Sequence, residues 1–337
     1  MITQKKILLG ITLLLISATA FSLLKSSRFF QKNADSPAIT ELPIIAITQI
    51  IEHPSLDQER EAIIETLNKE GYVDGKTVRI VYQNAQGNLP TATQIAGQVA
   101  GQHPKVVIAI STPSAQASLV SCQTQKIPLV FTAVTDPVGA KLVNDLKSPP
   151  VGITGVTDKL EPKEQLRLVK ELVPSVKTIG IIYNSGELNS LKMVQDLKEV
   201  AADLGVTLIE ATVNKMSDVA AATQSLAGKV QAIYVPNDNT VVSAIRNVVI
   251  VGEKEHIPVF AGDIGSVESG AIATKCYDRH ELGVEAGKLA LQMLKNPELV
   301  SIPVSENHSL ITVINIKAAE RMGLPIPEEL RKMARII

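Results

Sequence analysis

The chain has 337 residues, too many for one ordinary core and comfortable for two of about 150 each. Its 33 Lys and Arg against 34 Asp and Glu leave a net charge of -1, which excludes the one-signed surface of a nucleic-acid binder. Aromatic residues make up 3% with no Trp, so a broad stacking platform for bases or long oligosaccharides is excluded too.

Residues 1–40 differ in kind from the rest. Lys5 and Lys6 precede an uncharged apolar run from Ile7 to Leu24, and a polar stretch, Lys25 to Pro37, follows. This is the pattern of an export segment, and Ala18 and Ala20 form an A-x-A-like cleavage site. The run is also long enough to span a bilayer, at about 18 residues, so an uncleaved anchor is the alternative to cleavage. Either way the folded part is expected in the periplasm or otherwise outside the cytoplasm. No Cys follows the run, so no lipid is attached there.

The globular part opens with a short apolar strand, Ile44 to Ile47. His53-Pro54 leads into a helix whose Leu56, Ile63, Ile64 and Leu67 share one face and which Gly71 ends. Val78, Ile80 and Tyr82 alternate as in a strand, Leu89 to Gly101 reads as a helix, and Val106 to Ile110 is a buried strand. Pro113 sits where a helix's first turn tolerates it, and Ile127 to Ala133 is the next strand. Continuous apolar strands alternating with helices predict a parallel sheet with right-handed crossovers.

The rhythm restarts after Asp158. Helix Pro162 to Leu172, strand Thr178 to Tyr183 and helix Asn189 to Leu204, stopped by Gly205, are followed by strand Val206 to Glu210, helix Ser217 to Ala227 and strand Ala232 to Val235. Helix Val241 to Lys254, strand Pro258 to Ala261, strand Ala271 to Cys276, helix Glu281 to Leu294, strand Leu310 to Ile316 and a helical tail around Glu328 complete the chain. The expected fold is α/β, two doubly wound parallel-sheet lobes of the same architecture. Crossings near Asp158, Tyr277 and Asn307 would form a hinge of about three segments, with 41–157 and 277–307 in one lobe and 158–276 and 308–337 in the other.

Polar loops follow the strands: Ser111-Thr112-Pro113-Ser114, Thr135-Asp136-Pro137, Asn184-Ser185-Gly186, Pro236-Asn237-Asp238-Asn239 and Gly262-Asp263. The carboxyl ends of parallel strands are where open α/β sheets bind ligands, so the two loop edges are expected to face each other across a cleft that holds a small molecule. Phosphate-loop, dinucleotide, nucleophile-elbow and zinc-protease motifs are all missing, and a triad of Ser111, His53 and Asp136 has no support in the spacing. The expectation is no enzyme and no cofactor. Two Cys and five scattered His show no metal-ligand spacing, so no metal site is expected. Cys122 and Cys276 read as two buried thiols, with a disulfide as the alternative.

Three segments carry a resemblance: Ile47-Thr48-Gln49-Ile50-Ile51-Glu52-His53-Pro54-Ser55-Leu56-Asp57, Gly71-Tyr72-Val73-Asp74-Gly75-Lys76, and Phe131-Thr132-Ala133-Val134-Thr135-Asp136-Pro137-Val138-Gly139-Ala140. From about Ile44 to the C-terminus the chain resembles the substrate-binding components of ABC transporters in the TrpX-like family. The resemblance implies a type I periplasmic-binding-protein fold, delivery of ligand to an ABC permease with its ATPase, and an amino acid ligand, aromatic in preference; the chain is expected to act as a monomer. Members of the family are often lipoproteins, and this chain lacks their cysteine. A membrane-anchored sensor ectodomain using the same cleft is the alternative function, though only the few residues before Ile7 are available for output.

An amino acid's carboxylate suits hydroxyls and backbone N–H groups at a helix N-terminus. Ser111, Thr112 and Ser114 offer them in the first lobe and Asn189, with Ser190, across the cleft. Helix capping explains the same residues equally well. An ammonium group calls for a carboxylate, for which Asp238 and Asp263, with Thr135 and Asp136, are the candidates against a turn or N-cap role. Asn184 and Asn237 lie in the same loops, Glu52, after the first strand, is placed at the cleft's mouth, and Gln49 is a further ligand-binding candidate. His53 is either a cleft residue or an ordinary helix start before Pro54. Tyr183, Tyr234, Phe131 and Phe260 are expected in the core more than against a ring.

Overall fold

All five residues of Val106–Ile110 are buried, as a parallel strand covered by helices on both faces requires. A computed structural model describes residues 41–296, 301–306 and 309–337. The first sheet contains β1 (Ile44–Gln49), β2 (Arg79–Asn84), β3 (Val106–Ile110), β4 (Leu129–Val134) and β5 (Ile153–Thr157) in the order β2-β1-β3-β4-β5, every pair parallel. Helices α1 (Pro54–Lys69), α2 (Leu89–Ala100) and α3 (Thr112–Gln125) connect its strands.

The second sheet repeats the plan. Its strands are β6 (Thr178–Asn184), β7 (Thr207–Val213), β8 (Ala232–Val235), β9 (Val259–Ala261), β10 (Ala273–Tyr277), β11 (Leu310–Ile314) and β12 (Arg335–Ile336). The segment β7-β6-β8-β9-β10 of their order matches the first sheet strand for strand. Helices α4 (Pro162–Leu172), α5 (Leu188–Ala201), α6 (Val219–Leu226), α7 (Asn239–Ser243), α8 (Ile245–Glu255) and α9 (Ile264–Glu268) connect them, and α10 (Arg279–Lys295), α11 (Ile316–Arg321) and α12 (Glu328–Met333) follow. In each sheet the order reverses beside the first strand, which opens a crevice at the carboxyl ends.

Each sheet has its own core. Leu282, Ala286, Leu289 and Met293 of α10 pack into the first, although they follow β10 in the chain. Val313, Ile314 and Ala318 return to the second. The chain therefore enters β11 from the first layer, without a crossover helix inside the second sheet, and β11 pairs antiparallel with β10. The other pairs of this sheet are parallel, as expected, and β10–β11 is the one antiparallel pair among the described residues. The single helix expected over Val241 to Lys254 is two, broken at Ala244 with φ -114° and ψ 20°. Strand β5 and helices α9 and α11 are additions to the elements read from the sequence.

Cys122 and Cys276 are unpaired buried thiols in separate cores, and burial pushes both up to about 12. The apolar run Ile7 to Leu24 and the crossing expected near Asn307 lie outside the described residues. Among the described residues no helix is long and apolar enough to cross a membrane.

Candidate functional site

Two positions in the first sheet hold non-glycine residues in left-handed backbone: Ser111 at the end of β3, φ 85°, and Ala133 near the end of β4, φ 52°. Such conformations cost of order 1–3 kcal/mol and cluster at ligand sites. At Ala133 the register of β4 against β5 shifts between Phe131 and Val134, a bulge that re-aims the strand's end. Ala133 and the next loop residue, Thr135, line a cavity of ≈ 20 Å³ between the carboxyl ends of the two sheets, room for about one water.

The opposite wall comes from the loops after β6, β8 and β9. Asn189, Asn237, Asp238 and Asp263 all line the cavity. Asp238 caps α7 through Val241 N at 2.8 Å and also accepts from Asn184 N at 2.6 Å and Ser190 Oγ at 2.6 Å. Burial, then the charge of Glu187, holds its carboxyl well above the usual carboxylate range. Asp263 caps α9 through Ser266 N at 2.9 Å and takes Ser266 Oγ at 2.6 Å. Both aspartates thus do the capping work that was weighed for them, while facing the cavity.

The asparagines have a different arrangement. Asn189 Nδ2 donates to Asn237 O at 2.7 Å, and Asn237 Nδ2 donates to Asp158 Oδ2 at 3.1 Å. Each amide is anchored by its nitrogen, and the buried Oδ1 atoms of both have no protein partner. Asn189 is not a cap, because the N-cap of α5 is Glu187. Glu187 instead accepts from Asn239 N at 3.1 Å and Thr240 N at 3.0 Å.

At α3 the N-cap residue Ser111 makes no side-chain cap bond. The hydroxyls of Ser111 and Thr112 are buried and unpartnered, which separates them from ordinary capping residues. Thr112 and Asp136 line a second chamber of ≈ 200 Å³, walled on the other side by Leu188, Leu191 and Lys192, with Asn189 shared between the chambers. Asp136 accepts from Gly139 N at 2.8 Å.

Several expected site residues, Ser111 among them, lie off both linings. Gln49 is spent locally: its Nε2 donates to Ile51 O at 2.8 Å and Asp57 Oδ1 at 2.9 Å, and its Oε1 accepts from Arg60 at 3.0 Å. Glu52 is exposed and accepts from the Tyr82 hydroxyl at 3.1 Å. Asn184 holds Thr240 Oγ1 at 2.9 Å. Ser114 is buried in the first turn of α3. Tyr183, Tyr234, Phe131 and Phe260 are core residues, and neither lining contains Phe or Tyr.

The floor of the cavity holds a charge cluster that sequence reasoning missed. Arg279, 4% exposed, donates to Asp158 Oδ2 at 2.8 Å and stands 3.6 Å from Glu59 Oε2. Burial opposes the guanidinium charge, but the Asp158 and Glu59 carboxylates outweigh it and raise the pKa. Glu59 is fully buried and bonded to the Thr132 hydroxyl. Burial pushes its carboxyl up to about 7, against the pull of Arg279. Asp158 also accepts from Thr135 Oγ1 at 3.2 Å. His53 precedes Pro54 at the start of α1 and also lines the cavity, so both roles weighed for it hold. Burial depresses its pKa to about 4.

Residues 44–336 match the family model of the ABC transporter substrate binding proteins. The chain belongs to that family. It is 40% identical over 283 residues to a tyrosine-binding protein of Clostridioides difficile, covering 83% of this chain and 81% of the relative. A Streptococcus pneumoniae ABC domain in complex with L-Trp is 35% identical with a TM-score of 0.83, over 88% of this chain and 100% of that one. A Clostridium difficile substrate-binding protein with adhesive properties, in its ligand-free, open structure, is also 35% identical but has a TM-score of 0.65, over 88% and 99%. The two sheets have the type I periplasmic-binding-protein fold, which solute-binding proteins of 14–15% identity share. The family and the tyrosine-binding relative are described by the binding of a substrate, with no reaction in either description.

Proposed function

We propose that this protein is the extracytoplasmic solute-binding component of an ABC importer, closing on an amino acid, aromatic in preference, and delivering it to a permease with its ATPase. One observation carries the reading: Thr112 beside the first sheet and Asn189 and Asn237 beside the second hold buried polar atoms without protein partners, and all three line adjoining chambers that share Asn189. The Ser111 and Thr112 hydroxyls at the N-terminus of α3 are donors suited to a carboxylate. The Asn189 and Asn237 Oδ1 atoms, with the Asp158 and Asp263 carboxylates behind them, suit an ammonium group. A side chain would meet apolar rather than aromatic walls, Leu56, Ala133 and Val242 in the first chamber and Ala140, Leu188 and Leu191 in the second.

The relatives' ligands, tyrosine and L-Trp, support the amino-acid class. At equal identity the chain overlaps the L-Trp complex better than the open, ligand-free protein, which supports reading the described arrangement as the closed one. The moving bodies in this reading are 41–157 with 277–307 and 158–276 with 308–337, turning about the segments near Asp158 and Tyr277.

Calorimetry and thermal shift with L-tyrosine, L-tryptophan, L-phenylalanine and glucose test the proposal, since a ligand of the folded state raises Tm by mass action. An aromatic amino acid should bind at one site. Thr112→Val should weaken it about tenfold without lowering the unliganded Tm, because that hydroxyl has no protein partner to lose. Binding of glucose but of no amino acid would overturn the ligand class. Unchanged affinity in Thr112→Val would overturn the placement of the carboxylate.

A further inference from the structure

The N-terminus of α1 and the short helix α9 belong to different layers, yet they touch. Ser55 Oγ donates to Asp263 Oδ1 at 2.5 Å and accepts from Gly265 N at 3.3 Å. Among the described residues, the hydrogen bonds joining the two layers gather at this point and around the crossing segments at Asp158, Lys159 and Tyr277. Ser55 and Gly265 line neither chamber, and Asp263 does.

Gly265 makes the approach possible. A Cβ there would stand 2.7 Å from Ser55 Oγ, 3.0 Å from Pro54 Cβ and 3.1 Å from Ser55 N. Its backbone is helical rather than left-handed, so no turn geometry demands glycine. Glycine is also among the poorest helix formers. What the position gains from lacking a side chain is contact with the other layer.

We propose that Ser55 and Gly265 are positioning residues that set ligand affinity from outside the cavity: they form a clasp between α1 and α9 that favours the closed cleft and holds Asp263 in place. The clasp rests on the binding reading above for its consequence, though not for its existence. It contributes to closure whether or not ligand is bound, and ligand affinity scales with the fraction of molecules in the binding-competent arrangement.

Two variants separate the clasp from general stability. Ser55→Ala removes the bonds, and Gly265→Ala keeps every bonding group but wedges the layers apart. Each should raise the ligand dissociation rate about tenfold, the loss expected for a hydrogen bond to a charged group. The unliganded Tm should stay unchanged or, for Gly265→Ala, rise. Solution scattering of the unliganded variants should give a larger radius of gyration than the wild type, a readout that needs no ligand. Failure of the wild type to bind any amino acid would sink the binding reading while scattering still tested the clasp. Wild-type dissociation rates and wild-type dimensions in both variants would overturn the clasp itself.

Discussion

Glu59 makes a pH-dependent contribution to stability that can be isolated by one substitution. Its carboxyl is fully buried beside Arg279, and burial raises it from 4.5 to about 7. Between those values the folded protein keeps the proton that the unfolded chain releases, so stability from this group falls as pH rises through the window. Below it both states are protonated, and the contribution is fully present. At about 1.4 kcal/mol per pH unit, the span from 4.5 to about 7 amounts to about 3 kcal/mol. His53 works in the opposite sense. Its depressed value, about 4 against 6.5, makes stability rise with pH over part of the same range, so the wild-type profile alone is a poor reporter. The difference between Glu59→Gln and wild type isolates Glu59. Urea unfolding from pH 4.5 to 8 should show that difference shifting by about 3 kcal/mol in favour of the variant as pH rises. A difference independent of pH would refute the assignment of a protonated, buried Glu59.

Arg279→Met leaves the Asp158 carboxylate buried beside an apolar side chain, while Glu59, freed from the pull of the guanidinium, keeps its proton, and the expected loss at neutral pH is about 3–5 kcal/mol in urea unfolding. A loss below about 1 kcal/mol would mean that the cluster is already hydrated. Gly155→Ala places a Cβ 2.2 Å from Phe131 O and 2.3 Å from the Phe131 ring. Backbone and ring cannot both retreat in a packed core, so a loss of about 3 kcal/mol or failure to accumulate is expected, and a thermal scan matching wild type would contradict the packing described for β4 and β5.

The architecture was legible wherever one local signal sufficed. The Val106–Ile110 run announced a covered strand, and Gly205, in left-handed backbone with φ 67°, stopped a helix where it was expected to. Polar loops after the strands pointed to the edge of both sheets where the two chambers lie. Legibility failed where the answer depended on distant partners. Arg279 reads as a helix-start cation, and the Asp158 it needs is 121 residues away. Asp158 itself read as a boundary. Gln49 and Asn184 look like binding residues because their chemistry suits it, but neighbours already take their donors and acceptors. Strand β5, with Gly155 between threonines, has too little apolar run to announce itself, and the direction of β11 depends on the route of α10 through the first layer.

Scattering recorded along a calorimetric titration with L-tyrosine addresses the central claim, that two similar layers shut on one amino acid, most directly. The account predicts one site per chain and, from an unliganded protein that the Ser55–Gly265 clasp closes only in part, a radius of gyration that contracts in step with occupancy. Saturable binding with unchanged dimensions would contradict closure, and no heat with any amino acid would contradict the ligand.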